Sequence, residues 1–322
     1  MNIMDLFNAM PGAVAQGMIW GIMAIGVYIT FRILDLADLT VDGSMVTGMA
    51  VCAVLMVAGV NVWIAMLAAF IAGMLSGLVT GIFHTVMGIP AILAGILTQL
   101  ILWSVNLKIM GCANIALPAR SFGVLITQLR KYEAIVYVAM FCIVIIAMLY
   151  WFFGTKFGAS IRATGCNERM ARAQGINTNF NKVVGFILSN GIVALSGALL
   201  AQYSGKADIN DGRGAIVIGL AAVIIGEVIV SKLPNNFVVK LLGVIIGGIV
   251  YYIVYQTVIF LGLDADLLKM LSALIVAFFL AIPHLKKTYF KKSKNSKEAK
   301  LWLKLRILLK FLTKAQLMKR LP

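Results

Sequence analysis

The sequence predicts an all-α, polytopic integral membrane protein, and three observations carry that assignment. Hydrophobic residues make up 61% of the 322 positions and charged residues only 12%. A soluble chain of this length could not hide so much apolar surface, and its apolar windows repeatedly reach the roughly 20 residues that a spanning helix needs. The third observation is where the charge lies. Of the formal net charge of +16, the stretch Lys286 to Pro322 supplies 13 Lys or Arg against the single acid Glu298, leaving 15 basic and 11 acidic groups for the rest. The excess therefore belongs to a tail, and no nucleic-acid partner is needed to explain it.

Spans are expected near 12–31, 43–60, 61–83, 89–109, 133–153, 183–203, 213–231, 237–260 and 268–285. Nine is the count these windows support, with eight and ten as its neighbours. This divides the chain into a transmembrane domain over 1–285, with a polar loop at about 154–182, and a basic tail over 286–322. Lys and Arg concentrate in loops on the cytoplasmic side of a membrane protein. With the C-terminal tail placed in the cytoplasm, Arg32, Lys156, Arg162, Arg169, Arg172, Lys182, Lys232 and Lys240 fall inside as well. The location that follows is the plasma or inner membrane, multi-pass. The segment 110–132 then lies outside and reads as an external loop or a helix on the membrane surface. The N-terminus MNIMDLF has no basic region ahead of its first apolar run and does not read as a removable signal peptide. Cys52, Cys112, Cys142 and Cys166 have no ligand spacing and read as small apolar fillers.

The longest polar island outside the tail is Gly158 to Asn177, GASIRATGCNERMARAQGIN. Asn167 is suited to cap a helix, Glu168 suits the positive end of that helix, and Gly175 suits a left-handed stop. The result is a short helix preceded by a second helical stretch over Gly158 to Thr164. Residue chemistry alone leaves two readings: a docking element for a soluble partner, or a basic loop that only fixes topology.

The pattern G-x-x-x-R-A-T-G-x-N-x-x-x-A-R-A-x-G-I-N resembles the cytoplasmic coupling loop of ATP-binding-cassette importer permeases of the branched-chain amino-acid and ribose type. It is closest to an amino-acid branch linked to aromatic amino acids such as tryptophan and tyrosine. The resemblance covers about Gly12 to Pro283, though its specific parts are this loop and the stretch D-L-T-V-D-G at 38–43, which is similar to the D-L-S-V-G motif of ribose-type permeases. It implies that Arg162, Ala163, Thr164, Gly165, Asn167, Glu168, Ala171, Arg172, Gly175 and Ile176 belong to an ATPase-coupling loop. It further implies a cytoplasmic ATPase subunit carrying ATP and Mg, an extracytoplasmic substrate-binding protein and a permease homodimer. No cofactor is expected on this chain, which has no G-x-x-x-x-G-K-[ST] and no H-E-x-x-H, G-x-S-x-G or paired-carboxylate arrangement. It reads as a transport subunit and not an enzyme.

Asp38, Thr40 and Asp42 lie between the first two spans, where acidic side chains can cap the next helix. A helix broken at such a point exposes backbone groups that only protein or a wet cavity can satisfy, and breaks of this kind mark transport routes. The other reading is a cap and turn with no solute contact. KADINDGRG, far downstream, echoes the stretch in Ala207, Asp208, Asp211 and Gly212. The first copy follows a span running inward and the second a span running outward, as an inverted repeat would require. Asn190 and Glu227 complete the expected pathway residues. Glu227 is the one acid well inside a predicted span, where an ionisable group is a functional candidate, or else a partner for Lys232. Glycines 73, 77 and 81 recur every fourth residue and predict a close-packing face.

In the tail, KKTYFKKSKNSKEAK is expected to attract anionic membrane lipid, followed by an interfacial helix through Leu301, Trp302, Leu305 and Leu308. An arm that docks on the ATPase is the alternative. Two competing functions remain at this level: a secondary transporter driven by an ion gradient, and a membrane scaffold.

Overall fold

Ten α-helices and one short β-pair form a computed structural model that describes residues 3–117, 123–231 and 236–260, plus isolated positions 270, 274, 277 and 281. The described elements belong to one unit, Met1–Val276. The expected span 268–285 lies almost wholly outside the described residues, as does the basic tail. Among the described residues, six helices are long and apolar enough to cross a membrane: Ala9–Ile33, Val62–Thr85, Ala91–Met110, Gln128–Gly154, Thr178–Ser204 and Phe237–Phe260.

Helix α1 (Ile3–Tyr28) continues through a π-helical turn, Ile29–Ile33, and stops. It runs antiparallel to α8 (Thr178–Ser204): Ser189 Oγ donates to Gly26 O and Ser196 Oγ to Ile19 O, each at 2.7 Å. Both serines satisfy themselves on backbone carbonyls of the neighbouring helix, the usual role of a hydroxyl inside a membrane bundle.

Helix α2 (Val41–Val57) has 17 residues and α9 (Ala215–Val230) has 16, so the expected spans 43–60 and 213–231 are shorter than a membrane crossing. Each is entered through a turn, and their directions oppose. The start of α2 lies level with the middle of α8, where Ser44 meets Asn190, and its later turns reach the end of α8, where Cys52 meets Gln202. Helix α9 starts midway along α1 and follows it to its end: Gly219 lies against Met23 and Val27, and Glu227 meets Arg32. Two half-length helices thus point away from a common centre in opposite directions, the geometry of an inverted repeat of broken helices.

Helix α3 (Val62–Thr85) is capped by Asn61, whose side chain accepts from Trp63 N at 3.0 Å, and packs along α8. Side-chain atoms added at Gly73 and Gly77 would run into the carbonyl oxygens of Asn190 and Phe186, so the expected glycine face is an intramolecular seam between α3 and α8. Helix α4 (Ala91–Met110) follows, and α10 (Phe237–Phe260) packs between α1 and α9. Helix α5 (Lys131–Gly154) exposes Val136, Ile143 and Met148, as α3 exposes Leu67 and α4 Leu100. These apolar outer faces suit lipid or a second membrane subunit.

Within the segment 110–132, expected as an external loop or surface helix, the described residues include a short strand. Asn114–Ala116 (β1) pairs antiparallel with Lys206–Asp208 (β2), with Ile115 opposite Ala207. Three-residue strands leave almost no periodic signal, and their partner lies about ninety positions away in sequence, which local patterning cannot reveal.

Candidate functional site

The break after α1 is held by a buried polar network. Leu36 N still reaches back to Thr30 O at 2.9 Å, Asp35 takes a positive φ of 56°, and residues 34–40 then leave the helix. Asp38 Oδ1 accepts from Thr40 N at 2.9 Å and Oδ2 from Asn190 Nδ2 at 2.7 Å. Ser44 Oγ donates to Asn190 Oδ1 at 2.5 Å and lies 3.0 Å from Ser76 Oγ, while Thr40 and Thr80 share a hydroxyl bond of 2.7 Å. Asp38, Thr40, Ser44, Ser76, Thr80 and Asn190 are all buried. Of the five residues expected to line a pathway, Asp38, Thr40 and Asn190 are therefore joined to one another. A saturated network of this kind fixes three elements relative to each other and rigidifies the break. Ser44, Ser76 and Thr80 were not singled out by sequence. Their signal is that Ser76 and Thr80 fall among the glycines of the α3 seam.

Asp42 corrects the expected local cap. It sits in the first turn of α2, yet its carboxylate serves the other half-helix: Oδ2 accepts from Gly214 N and Oδ1 from Ile216 N, each at 2.9 Å. Free amides at a helix start favour an anion. One side chain thereby ties the first copy of the repeat to the second.

Beside this joint lies a cavity of about 180 Å³ lined by Asp42, Gly43, Gln99, Trp103, Asn106 and Arg213 among others. Its walls come from the start of α2, the middle of α4 and the turn before α9. Gln99 and Asn106 fall within the expected span 89–109.

Glu227 lies away from that cavity. It forms a two-pronged ion pair with Arg32 of the π-helical turn, one contact being Arg32 Nε to Glu227 Oε1 at 2.6 Å. Lys232, the partner in the alternative reading of Glu227, is outside the described residues.

The polar island folds as α6 (Lys156–Cys166) and α7 (Glu168–Ala173). Thr155 caps α6 through Gly158 N, Asn167 caps α7 through Met170 N at 3.0 Å, and Asn177 caps α8 through Phe180 N. Gly175, at φ +78°, ends α7, with Ile176 N returning to Ala171 O at 3.1 Å. Within this pair, Thr164 and Ala171 are buried, Ala163 and Ile176 half-buried, and Arg162, Asn167, Arg169, Met170 and Arg172 exposed. Gly165 presses against the Ile33 carbonyl and Leu34 Cα, so α6 rests directly on the end of α1. Arg162 Nη2 donates to Phe153 O at 2.9 Å, and Asn181 Nδ2 to Thr164 Oγ1 at 2.9 Å, which seats α6 on α5 and α8.

Glu168 ties α7 to α8. It accepts from Lys182 Nζ at 2.8 Å and Arg172 Nη2 at 2.7 Å, and the Lys182 ammonium holds its carboxyl below the usual range. A depressed folded-state pKa contributes stability that is present above the unfolded value of about 4.3 and lost as pH falls through the folded value. The protection of α7 amides against exchange, corrected for intrinsic rates, should therefore decline on acidification below about pH 4.3 in the wild type. In Glu168→Gln that dependence should flatten; an unchanged profile would remove the role given to this carboxylate.

Opposed half-helices joined at a buried centre, inside a bundle with apolar outer faces, define a membrane transport protein. The chain belongs to the family described as branched-chain amino acid transport system / permease component, whose pattern matches residues 10–281. It is 37% identical over 270 residues to a tyrosine transport system permease protein of Clostridioides difficile, covering 84% of this chain and 90% of that one. The autoinducer 2 import system permease protein LsrC of Escherichia coli is 30% identical over 223 residues, covering 66% and 60%. Among solved structures, PsaBC from Streptococcus pneumoniae in complex with Fab superposes with a TM-score of 0.52 at 15% identity, covering 91% of this chain and 100% of that one, a likeness of fold. This multi-pass membrane protein is thus the permease subunit of an ATP-binding-cassette importer for a small solute.

Proposed function

We propose that the subunit pairs with a second copy of itself and imports an amino acid delivered by an extracytoplasmic binding protein, driven by a cytoplasmic ATPase that docks on α6 and α7. The observation that carries this reading is the seat of Gly165 on the Ile33–Leu34 end of α1. A push on the exposed residues Arg162, Asn167, Arg169, Met170 and Arg172 would pass through α6 to that end. From there the chain leads in a few residues to Asp38, bonded to Asn190, and to Asp42, bonded to the start of α9. Buried Thr164 and Ala171 hold the docking surface in place and do not form it. ATP and Mg reside on the ATPase and not on this chain.

An amino acid is the favoured solute because the family description and the tyrosine permease relative share that class. The α6–α7 end faces the cytoplasm on this reading, with the C-terminus on the same side. The 286–322 tail lies on anionic lipid there through its Lys and Arg, at about 1 kcal/mol for each charge near the surface.

Affinity purification of the tagged protein in mild detergent, with mass spectrometry of what accompanies it, tests the assembly. A stoichiometric P-loop ATPase is expected. A clean homo-oligomer that takes up amino acid in ATP-free proteoliposomes would overturn the reading in favour of a secondary carrier. Glu227→Gln offers a second test, since Glu227 is engaged by Arg32. Uptake by this variant should stay ATP-dependent with at most a severalfold loss, whereas an altered proton or sodium dependence would make Glu227 an ion-coupling group.

A further inference from the structure

We infer that the cavity between the two half-helices is a niche for the backbone of a zwitterionic amino acid, with Arg213 holding its carboxylate and Asn106 its ammonium group. This deepens the amino-acid reading above and rests on it. The first observation is an orphaned acceptor. Asn106 is fully buried, and its Nδ2 donates to Gly43 O at 3.3 Å, yet its Oδ1 has no partner. A buried carbonyl oxygen left unpaired is costly, and a ligand N–H supplies the missing donor. The second is charge. Arg213 lines the same cavity, is exposed, and forms no ion pair among the described residues. Its guanidinium can clasp a carboxylate through two parallel bonds.

Asp42, also in the wall, does not compete for the ammonium as a bare anion would. Both its oxygens are occupied by the Gly214 and Ile216 amides. Gln99 offers an amide that can donate or accept, and Trp103, Val46, Leu100 and Ile209 supply an aromatic and aliphatic wall for the side chain. At about 180 Å³ the cavity is below the roughly 300–1,000 Å³ of drug-sized pockets, in keeping with one small metabolite. The polar groups come from α2, α4 and the α9 turn, so any relative movement of the half-helices would take the niche apart. A site that binds in one arrangement and dissolves in the other is what import requires.

The test uses the full-length protein in nanodiscs with tritiated L-tyrosine as the probe, and unlabelled tyramine and N-acetyl-L-tyrosine as competitors that lack the carboxylate and the ammonium charge. Saturable L-tyrosine binding is expected, with each competitor at least about tenfold weaker, since a lost charge-assisted bond carries about that factor. Arg213→Gln should weaken L-tyrosine about tenfold while leaving tyramine competition unchanged, and Arg213→Lys should restore part of the loss. Asn106→Leu should weaken L-tyrosine about tenfold; because that side chain is buried, the exposed Arg213 variant carries the decision if Asn106→Leu does not fold. Equal binding of tyrosine and tyramine, unchanged affinity in Arg213→Gln, or no saturable binding up to about 10 mM would each overturn the niche. The amino-acid reading fails separately: ATP-driven uptake of tyrosine by the whole importer that Arg213→Gln does not alter would sink only the niche, whereas uptake of a different solute class would sink both.

Discussion

Asp42→Ala is expected to abolish solute uptake and to lower the stability of the protein by about 3–5 kcal/mol, the scale of losing two buried hydrogen bonds to a charged group. The basis is that one carboxylate accepts from both Gly214 N and Ile216 N, two charge-assisted bonds of about 1.5–3 kcal/mol each whose energies do not simply add. Alanine leaves the start of α9 without these acceptors inside the bundle, where an unpaired amide is costly. Asp42→Asn keeps one acceptor oxygen, so it should retain part of the stability. Thermal denaturation in detergent, followed alongside uptake, checks both. A fully stable Asp42→Ala protein would mean that the half-helices are held together chiefly by packing.

Gly165→Val should uncouple the protein. Even a first side-chain carbon at this position meets the Ile33 carbonyl oxygen, so α6 must lift away from the end of α1. Insertion in the membrane and the β1–β2 pairing lie elsewhere and should survive. ATP-driven uptake should fall at least tenfold, a loss of about 1.4 kcal/mol or more in transition-state terms. The informative comparison is with Met170→Ala, which trims an exposed side chain of α7 and leaves the α6 seat intact. That variant should weaken co-purification of the ATPase, whereas Gly165→Val should keep the ATPase bound with its hydrolysis no longer tied to uptake. Wild-type uptake in Gly165→Val would show that force does not travel through the α6–α1 contact.

The two variants separate features that look alike in sequence. Gly165 and Met170 are neighbours in one polar island, yet the first faces the end of α1 and the second faces away from the bundle. Helical spacing alone does not say which face of a two-turn helix meets the bundle, because that depends on how α6 and α8 cross.

By itself the sequence determined the class of the protein, the polar helix pair and its stops. Apolar windows near 20 residues have one stable solution in a bilayer, and the caps at Asn167 and Asn177 with the glycine at 175 act within a few residues of the helices they bound. It also marked Asp38, Asp42, Asn190 and Glu227 as polar groups in apolar surroundings, because such groups need a partner wherever they fall. Only the tertiary structure decided the partners. Asp38 found Asn190, Asp42 found the start of α9, and Glu227 found Arg32, each across more than 150 residues of chain. A missing hydrogen-bond partner is a local fact, but which distant group fills it depends on how the helices pack. The same packing shortened two predicted spans into opposed half-helices and brought Asn106 and Arg213 to one cavity.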